Sequence, residues 1–364
     1  MPGFWTIGGY LTTLQFLDLA TDFLFGTPLG MQLPSSQAKV ESFLQTMDSA
    51  LLGMNKRRQG TSLSSLKLWL FSSSYRQDVA SVHGFIDTHV QQALDRTKLS
   101  TAPTSRYVLA ESLARQTRDP SYLRGILLQC FLPARDQPAI LLSNTLFELS
   151  RHPEHWRYLR SLALSVPRSE ETSFRKLSSL RPIRHVILEA LRLHGPGGAT
   201  KRRAVQDLIL PVGGGPDGNA PVFVPKGTLL VTHFPVMHRS KAHWGADADE
   251  FRPERFMDKE KEFTRAEQVR ESESSNDTVQ KDGASSHVDI FGWEFKPFLA
   301  GPRTCPAKDQ TIVQMTYVIL RMLKTFEDIE CADTVKEFVE MARLTTESRN
   351  GAKIRLRASH DANE

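Results

Sequence analysis

The sequence is short of cysteine, of unbroken apolar runs and of charge of one sign, and each shortage closes off a class of protein. Only Cys130, Cys305 and Cys331 occur in 364 residues, far apart and with no C-x-x-C pair. Neither a disulfide framework nor a structural zinc site is expected, and a reducing compartment suits the chain. A functional cysteine would act singly. The most apolar stretch, Ile126 to Leu149, contains Arg135, Asp136 and Glu148. A membrane span needs ~20 mostly apolar residues, so this stretch is expected to form a buried helix. Met1 to Leu17 carries no charge, but Thr6, Thr12, Thr13, Gln15 and three glycines interrupt it without a basic segment, and neither a signal peptide nor an anchor is read there. The 46 Lys and Arg are scattered among 41 Asp and Glu, leaving a formal charge of +5 with no long basic run; nucleic acid is not an expected partner. No repeat of solenoid period is present, and no G-x-S-x-G elbow supports a hydrolase. Gly213-Gly-Gly-Pro-Asp-Gly218 lacks the lysine and the following helix of a P-loop and reads as a turn between strands.

What is present is a globular composition, 40% hydrophobic and 24% charged, with chain enough for one large domain or two ordinary ones. Apolar residues recur at helical spacing from Leu14 to Phe25 and stop at Gly26, a C-cap. Ala38 to Arg58 and Tyr75 to Lys98 read as two further amphipathic helices joined by a serine-rich connection. Asp119-Pro120 and His152-Pro153 each open a helix. Phe174 to Leu193 reads as one more, ended by Gly195-Pro196-Gly197-Gly198. Short β-type runs follow at Leu208 to Pro211, Val222 to Val224 and Leu229 to Phe234. Met257 to Val288 is rich in Glu, Lys, Ser, Asp and Gln and reads as a flexible insertion, before a last apolar helix at Ala307 to Thr325. His233, His238 and His243 recur every five residues, which matches neither a helix face nor zinc spacing, so they are read as loop or strand residues.

The segment Phe298-Leu-Ala-Gly301-Pro-Arg303-Thr-Cys305-Pro-Ala307 stands immediately before that last helix. Its glycine permits a tight turn, its arginine offers a planar anion-binding fork, and its cysteine sits at a helix N-terminus, which favours a thiolate. A thiolate beside an arginine is what haem needs: an axial ligand and a partner for a propionate. Thiolate ligation favours cleavage of an O–O bond. The alternative for an isolated cysteine is a buried, inert thiol.

Through F-x-x-G-x-R-x-C the chain resembles the cytochrome P-450 haem-thiolate monooxygenases, with Ala307 where the family has glycine. Glu189-Ala-Leu-Arg192 resembles the family's E-x-x-R helix, a spacing that also occurs at Glu148/Arg151, Glu154/Arg157 and Glu340/Arg343. Phe251-Arg-Pro-Glu-Arg-Phe256 resembles the segment whose arginine, here Arg255, completes a buried Glu-Arg-Arg cluster. Val222-Phe-Val-Pro-Lys-Gly-Thr, Met237-His-Arg and Trp293-Glu-Phe-Lys-Pro-Phe are most similar to fungal microsomal members that hydroxylate alkanes and fatty acids. The resemblance covers roughly residues 14 to 330. It implies a mainly α fold with a small β region, a single domain over 1–364, and heme b ligated by Cys305. Arg303 and Arg202 would meet the propionates, and Phe298 would lie at the cofactor. It further implies an external NADPH-cytochrome P-450 reductase, a lipophilic substrate in fungal secondary or lipid metabolism, and an intracellular place in the cytosol or peripherally on the endoplasmic reticulum.

Two departures accompany the resemblance. The family's anchor, first strands and early helices are not matched. In the long central helix, where relatives carry A-G-x-D-T-T, this chain has Pro133-Ala134-Arg135-Asp136-Gln137-Pro138. Asp136 keeps the acid that brings protons toward dioxygen, and Gln137 replaces the hydroxyl. Three readings follow: an oxygen-activating monooxygenase, a remnant with a binding role or none, and a haem-thiolate enzyme that rearranges or dehydrates without oxygen.

Overall fold

The computed structural model describes residues 4–7, 9–30, 37–59, 63, 66, 72–99, 106–260, 292–342 and 345–359. The chain forms two compact units. The first takes residues 1–178 and 314–364, and the second is the single stretch 179–313; the chain leaves the second unit inside its last helix.

The first unit opens with strand β1 (Phe4–Ile7) and helix α1 (Gly9–Phe25). Gly26 ends α1 as its spacing predicts: at φ 76° it takes the left-handed turn that a side chain resists, and its N–H reaches the Asp22 carbonyl at 2.9 Å. Helices α2 (Gln37–Gln59), α3 (Ser73–Leu99) and α4 (Leu109–Gln116) follow. Helix α5 (Pro120–Leu149) starts at Asp119, whose carboxylate accepts the Ser121 and Tyr122 N–H groups, and it runs without a break through Pro133 and Pro138. Its residues Leu123, Leu127 and Phe131 repeat every four positions and pack with Leu17 and Phe25 of α1, Met47 of α2, Ile86 of α3 and Ala114 of α4 in one apolar core. Among the described residues no helix is long and apolar enough to cross a membrane.

Helices α6 (Pro153–Leu164) and α7 (Phe174–Ser179) complete the run. The continuous helix expected from Phe174 to Leu193 is in fact two, because Leu180 leaves the helical region (φ −78°, ψ 65°) and α8 (Arg181–His194) restarts with Pro182 in its first turn.

In the second unit every residue of α8 from Ile183 to His194 is buried, so each polar group on it must find a partner inside the protein. Strand β2 (Ala199–Arg203) pairs with β5 (Leu229–His233), and β3 (Leu208–Gly214) pairs with β4 (Ala220–Val224), all antiparallel. The glycine-rich turn is the tip of the β3–β4 hairpin, closed by Gly213 N–H on the Gly218 carbonyl at 2.8 Å. The run Leu229 to Phe234 stops one residue early, since Phe234 with Pro235 begins α9 (Phe234–His238), followed by α10 (Lys241–Trp244). His238 and His243 are therefore helical rather than loop or strand, and only His233 ends a strand. Of the segment 257–288, residues 257–260 continue a helix that starts at 254, and the rest lies outside the described residues. Helix α11 (Lys308–Thr325) begins three residues after Cys305.

The first unit is completed by β6 (Phe326–Cys331), β7 (Glu340–Ala342), β8 (Thr346–Ser348) and β9 (Ile354–Ala358), none of them expected from the sequence. Strand β9 is central in a three-stranded antiparallel sheet between β1 and β6. Its period-two pattern is real but brief, with Ile354 and Leu356 buried and Arg355 exposed.

Candidate active site

The second unit builds a cysteine loop onto a buried charge cluster. Glu189 on α8 has no exposed side-chain surface, and its Oε2 accepts Arg192 Nε at 2.8 Å while Oε1 accepts Arg192 Nη2 and Arg255 Nε, both at 2.9 Å. Oε1 also accepts the Arg252 backbone N–H at 2.8 Å. The remaining donors of Arg192 reach the carbonyls of His238 (2.8 Å), Ala248 (2.6 Å) and Glu250 (3.2 Å). Arg255 reaches those of Trp244 and Asp247, at 3.2 and 3.0 Å. The cluster that Glu189, Arg192 and Arg255 were expected to form is thus in place, and its work is structural: it ties α8 to α9, α10 and the segment 247–255. By contrast, Arg151 turns from Glu148 to the carbonyls of Val335 and Lys336.

Beyond the cluster lies a histidine that its five-residue spacing does not mark as functional. His238 is buried, packed between Phe234 and Phe295 with ring centroids at 5.9 and 5.2 Å. Burial and, second, the positive charge of Arg192 lower its pKa to about 4. Its Nε2 accepts the Lys296 N–H at 3.3 Å. The Lys296 carbonyl in turn accepts Leu299 N–H at 3.1 Å, and the Phe298 carbonyl accepts Cys305 N–H at 2.9 Å. Leu299 sits at φ 65°, a left-handed conformation costing a side-chain-bearing residue ~1–2 kcal/mol. Gly301 turns the chain again at φ 62°, and a methyl added there would meet nothing within 4 Å; the glycine serves the backbone angle, not space. Ala307 adopts no positive φ, so a glycine is not needed there.

The loop brings Phe298, Arg303 and Cys305 together. Cys305 is a free, half-buried thiol. Arg303 is exposed and makes no ion pair among the described residues. Arg202 lies on β2, opposite Leu230, with Nη1 on Thr200 Oγ1 at 2.8 Å; its neighbour Arg203 is engaged by the Gly227 carbonyl at 2.6 Å.

Asp136 and Gln137 are on α5 in the first unit. Asp136 is half-buried, its Oδ1 held by Arg135 Nε, while Gln137 is exposed. Arg135, buried, also reaches Asp48 Oδ1 at 3.1 Å. Burial opposes its charge, but the two carboxylates more than offset this and raise its pKa. Further along α5, Ser143 and Asn144 line a cavity of about 350 Å³ with Glu347 and Arg349; it contains none of the residues expected at the site.

The donor set bears on which cofactor the loop fits. Among the described residues no three His, Cys, Asp or Glu side chains converge on a metal position. One soft sulfur with a guanidinium two residues before it suits a ligand that brings its own in-plane donors and carries anionic arms, and haem is such a group.

The family model for cytochrome P450 matches residues 11–351. The chain is 31% identical over 370 residues to "Cytochrome P450 monooxygenase g430" of a Fusarium species, an alignment covering 95% of this chain and 58% of that protein. It is 33% identical to "Cytochrome P450 monooxygenase himC" of Aspergillus japonicus, covering 94% and 57%, and 32% identical to "Cytochrome P450 52A3-A" of Candida maltosa, covering 93% and 62%. The chain therefore spans about three fifths of the length of these curated relatives. A helical fold with small antiparallel sheets, a Glu-Arg-Arg cluster beneath a cysteine loop, and matches over nearly the whole chain agree: the protein belongs to the cytochrome P450 family.

Proposed function

We propose that the chain is a haem-thiolate monooxygenase that inserts one oxygen atom of dioxygen into a lipophilic substrate in fungal secondary or lipid metabolism. Electrons would come from a separate NADPH-cytochrome P-450 reductase, and the chain would work in the cytosol or peripherally at the endoplasmic reticulum. The observation that carries the reading is the cysteine loop, with Cys305 presented at the start of α11 and its N–H committed to Phe298. Heme b, when bound, supplies the redox-active iron and the site of oxygen chemistry. Cys305 Sγ would ligate it, Arg303 and Arg202 would neutralise its carboxylates, and Phe298 would contact it. Asp136 keeps Oδ2 to carry a proton from solvent, while Arg135 orients its Oδ1. Gln137 donates amide N–H groups but is too weak an acid to pass a proton on.

The test is spectroscopic. The reduced, carbon-monoxide-bound chain is expected to show the red-shifted Soret band of thiolate ligation, and Cys305→Ser to abolish it. Identical spectra for the two overturn the assignment. Because Gln137 lacks the hydroxyl, a second reading stands beside the first: an oxygen-independent rearrangement or dehydration. A chain with the thiolate band that converts substrate without consuming NADPH would establish it.

A further inference from the structure

We propose that His238 is the positioning residue that couples the Glu189–Arg192–Arg255 cluster to the cysteine loop, with its unprotonated Nε2 fixing the Lys296 N–H. Lys296, just before Pro297, lies in neither helix nor strand; its N–H therefore joins no ladder and requires a separate acceptor. An N–H can only donate, so Nε2 must be bare and the ring proton must sit on Nδ1. A buried, neutral ring meets that requirement at pH 7.

The backbone of the same residue closes the connection. Its carbonyl accepts Arg192 Nη1 at 2.8 Å, while its ring holds Lys296 at 3.3 Å. Two further bonds, Leu299 N–H to the Lys296 carbonyl and Cys305 N–H to the Phe298 carbonyl, carry the restraint to the cysteine. His238 acts through these groups and touches neither the thiol nor a reacting atom. The haem-thiolate reading enters only in what the loop presents; the restraint itself belongs to the protein.

Amide hydrogen exchange of the full chain, read at Lys296, Leu299 and Cys305, tests the coupling. His238→Phe keeps a ring between Phe234 and Phe295 and removes the acceptor. Exchange at the three amides should rise tenfold or more while α8 stays within about threefold. His238→Gln, whose carbonyl can replace Nε2 as acceptor, should restore protection to within about threefold. In the haem-loaded chain the Phe variant should lower the fraction of carbon-monoxide complex with the thiolate band, and the Gln variant should recover it. Unchanged exchange at Lys296 in His238→Phe overturns the proposal. Should that variant fail to fold, nitrogen NMR of the unaltered chain decides: a proton on Nδ1 supports it and a proton on Nε2 overturns it. If exchange behaves as expected but the unaltered chain never shows the thiolate band, the haem reading falls and the positioning role of His238 stands.

Discussion

A guanidinium has five N–H donors, and Arg192 places all five on oxygen: two on Glu189 and three on backbone carbonyls. Lysine offers three donors from a single point. Arg192→Lys should therefore leave carbonyls unserved in a buried site, and it should lower the stability of the protein by ~3–5 kcal/mol, as loss of a buried partner does. Unfolding in urea, followed by tryptophan fluorescence, checks this; a midpoint shift no larger than that of a surface substitution would contradict it. At Gln137, on the monooxygenase reading proposed above, the expected effect is on chemistry. An amide relays protons poorly, so much of the electron flow should emerge as hydrogen peroxide, and Gln137→Thr should raise product per NADPH several-fold. Tight coupling in the unaltered chain, measured as product and peroxide per NADPH, would refute this. The Glu189–Arg192 pair was legible in sequence because a second motif, Phe251 to Phe256, selected it from the other Glu-x-x-Arg spacings in the chain. His238 was not legible. Its function depends on an N–H brought to it from far along the chain by the fold, and nothing in its own neighbourhood records that.

Helix α5 shows what an element adds to its residues. Leu123, Leu127 and Phe131 form a core stripe, and the next position four residues on is Arg135. A charge in that stripe survives because Asp136 and Asp48 meet it. Both carboxylates reach solvent, with side-chain exposures of 22% and 63%, so neither is stranded if the arginine goes. Arg135→Leu should consequently change stability by less than about 1 kcal/mol in either direction. Arg135→Ala, which empties the volume as well, should cost about 2–4 kcal/mol. Denaturation midpoints of the pair test this, and equal losses would show that charge rather than volume matters. The helix itself was readable from Asp119-Pro120 and its apolar content. The break at Leu180 was not, because a proline in the first turn is as compatible with a new helix as with a bend in an old one. The β6–β9 strands were missed for a related reason: their alternation lasts only a few residues and is crowded by charge.

At the scale of the molecule, acid sensitivity is set by groups in both units. His238 has a folded pKa of about 4, against 6.5 for an exposed imidazole. Above pH 6.5 it is neutral folded or unfolded and contributes nothing to pH dependence. Between 6.5 and about 4 only the unfolded chain binds the proton, so stability falls as pH falls, by roughly 3 kcal/mol across the window. In the first unit burial opposes the charge of Glu171, but Lys324 and Arg321 more than offset it and lower its pKa; its share is lost as pH falls from the ordinary carboxylate value toward the lowered one. Acid destabilisation should begin near pH 6.5, and in His238→Gln its onset should move down toward the carboxylates. An unchanged onset in thermal melts across pH would dissociate His238 from it. The path of the chain has a consequence of another kind. The second unit is one uninterrupted stretch, whereas the first needs residues 314–364, including β9, the strand that pairs with both β1 and β6. On the ribosome, where domains fold as they emerge, the charge cluster and cysteine loop have all their residues while β1 still lacks its partner. The part of the molecule that starts first is the part that finishes last.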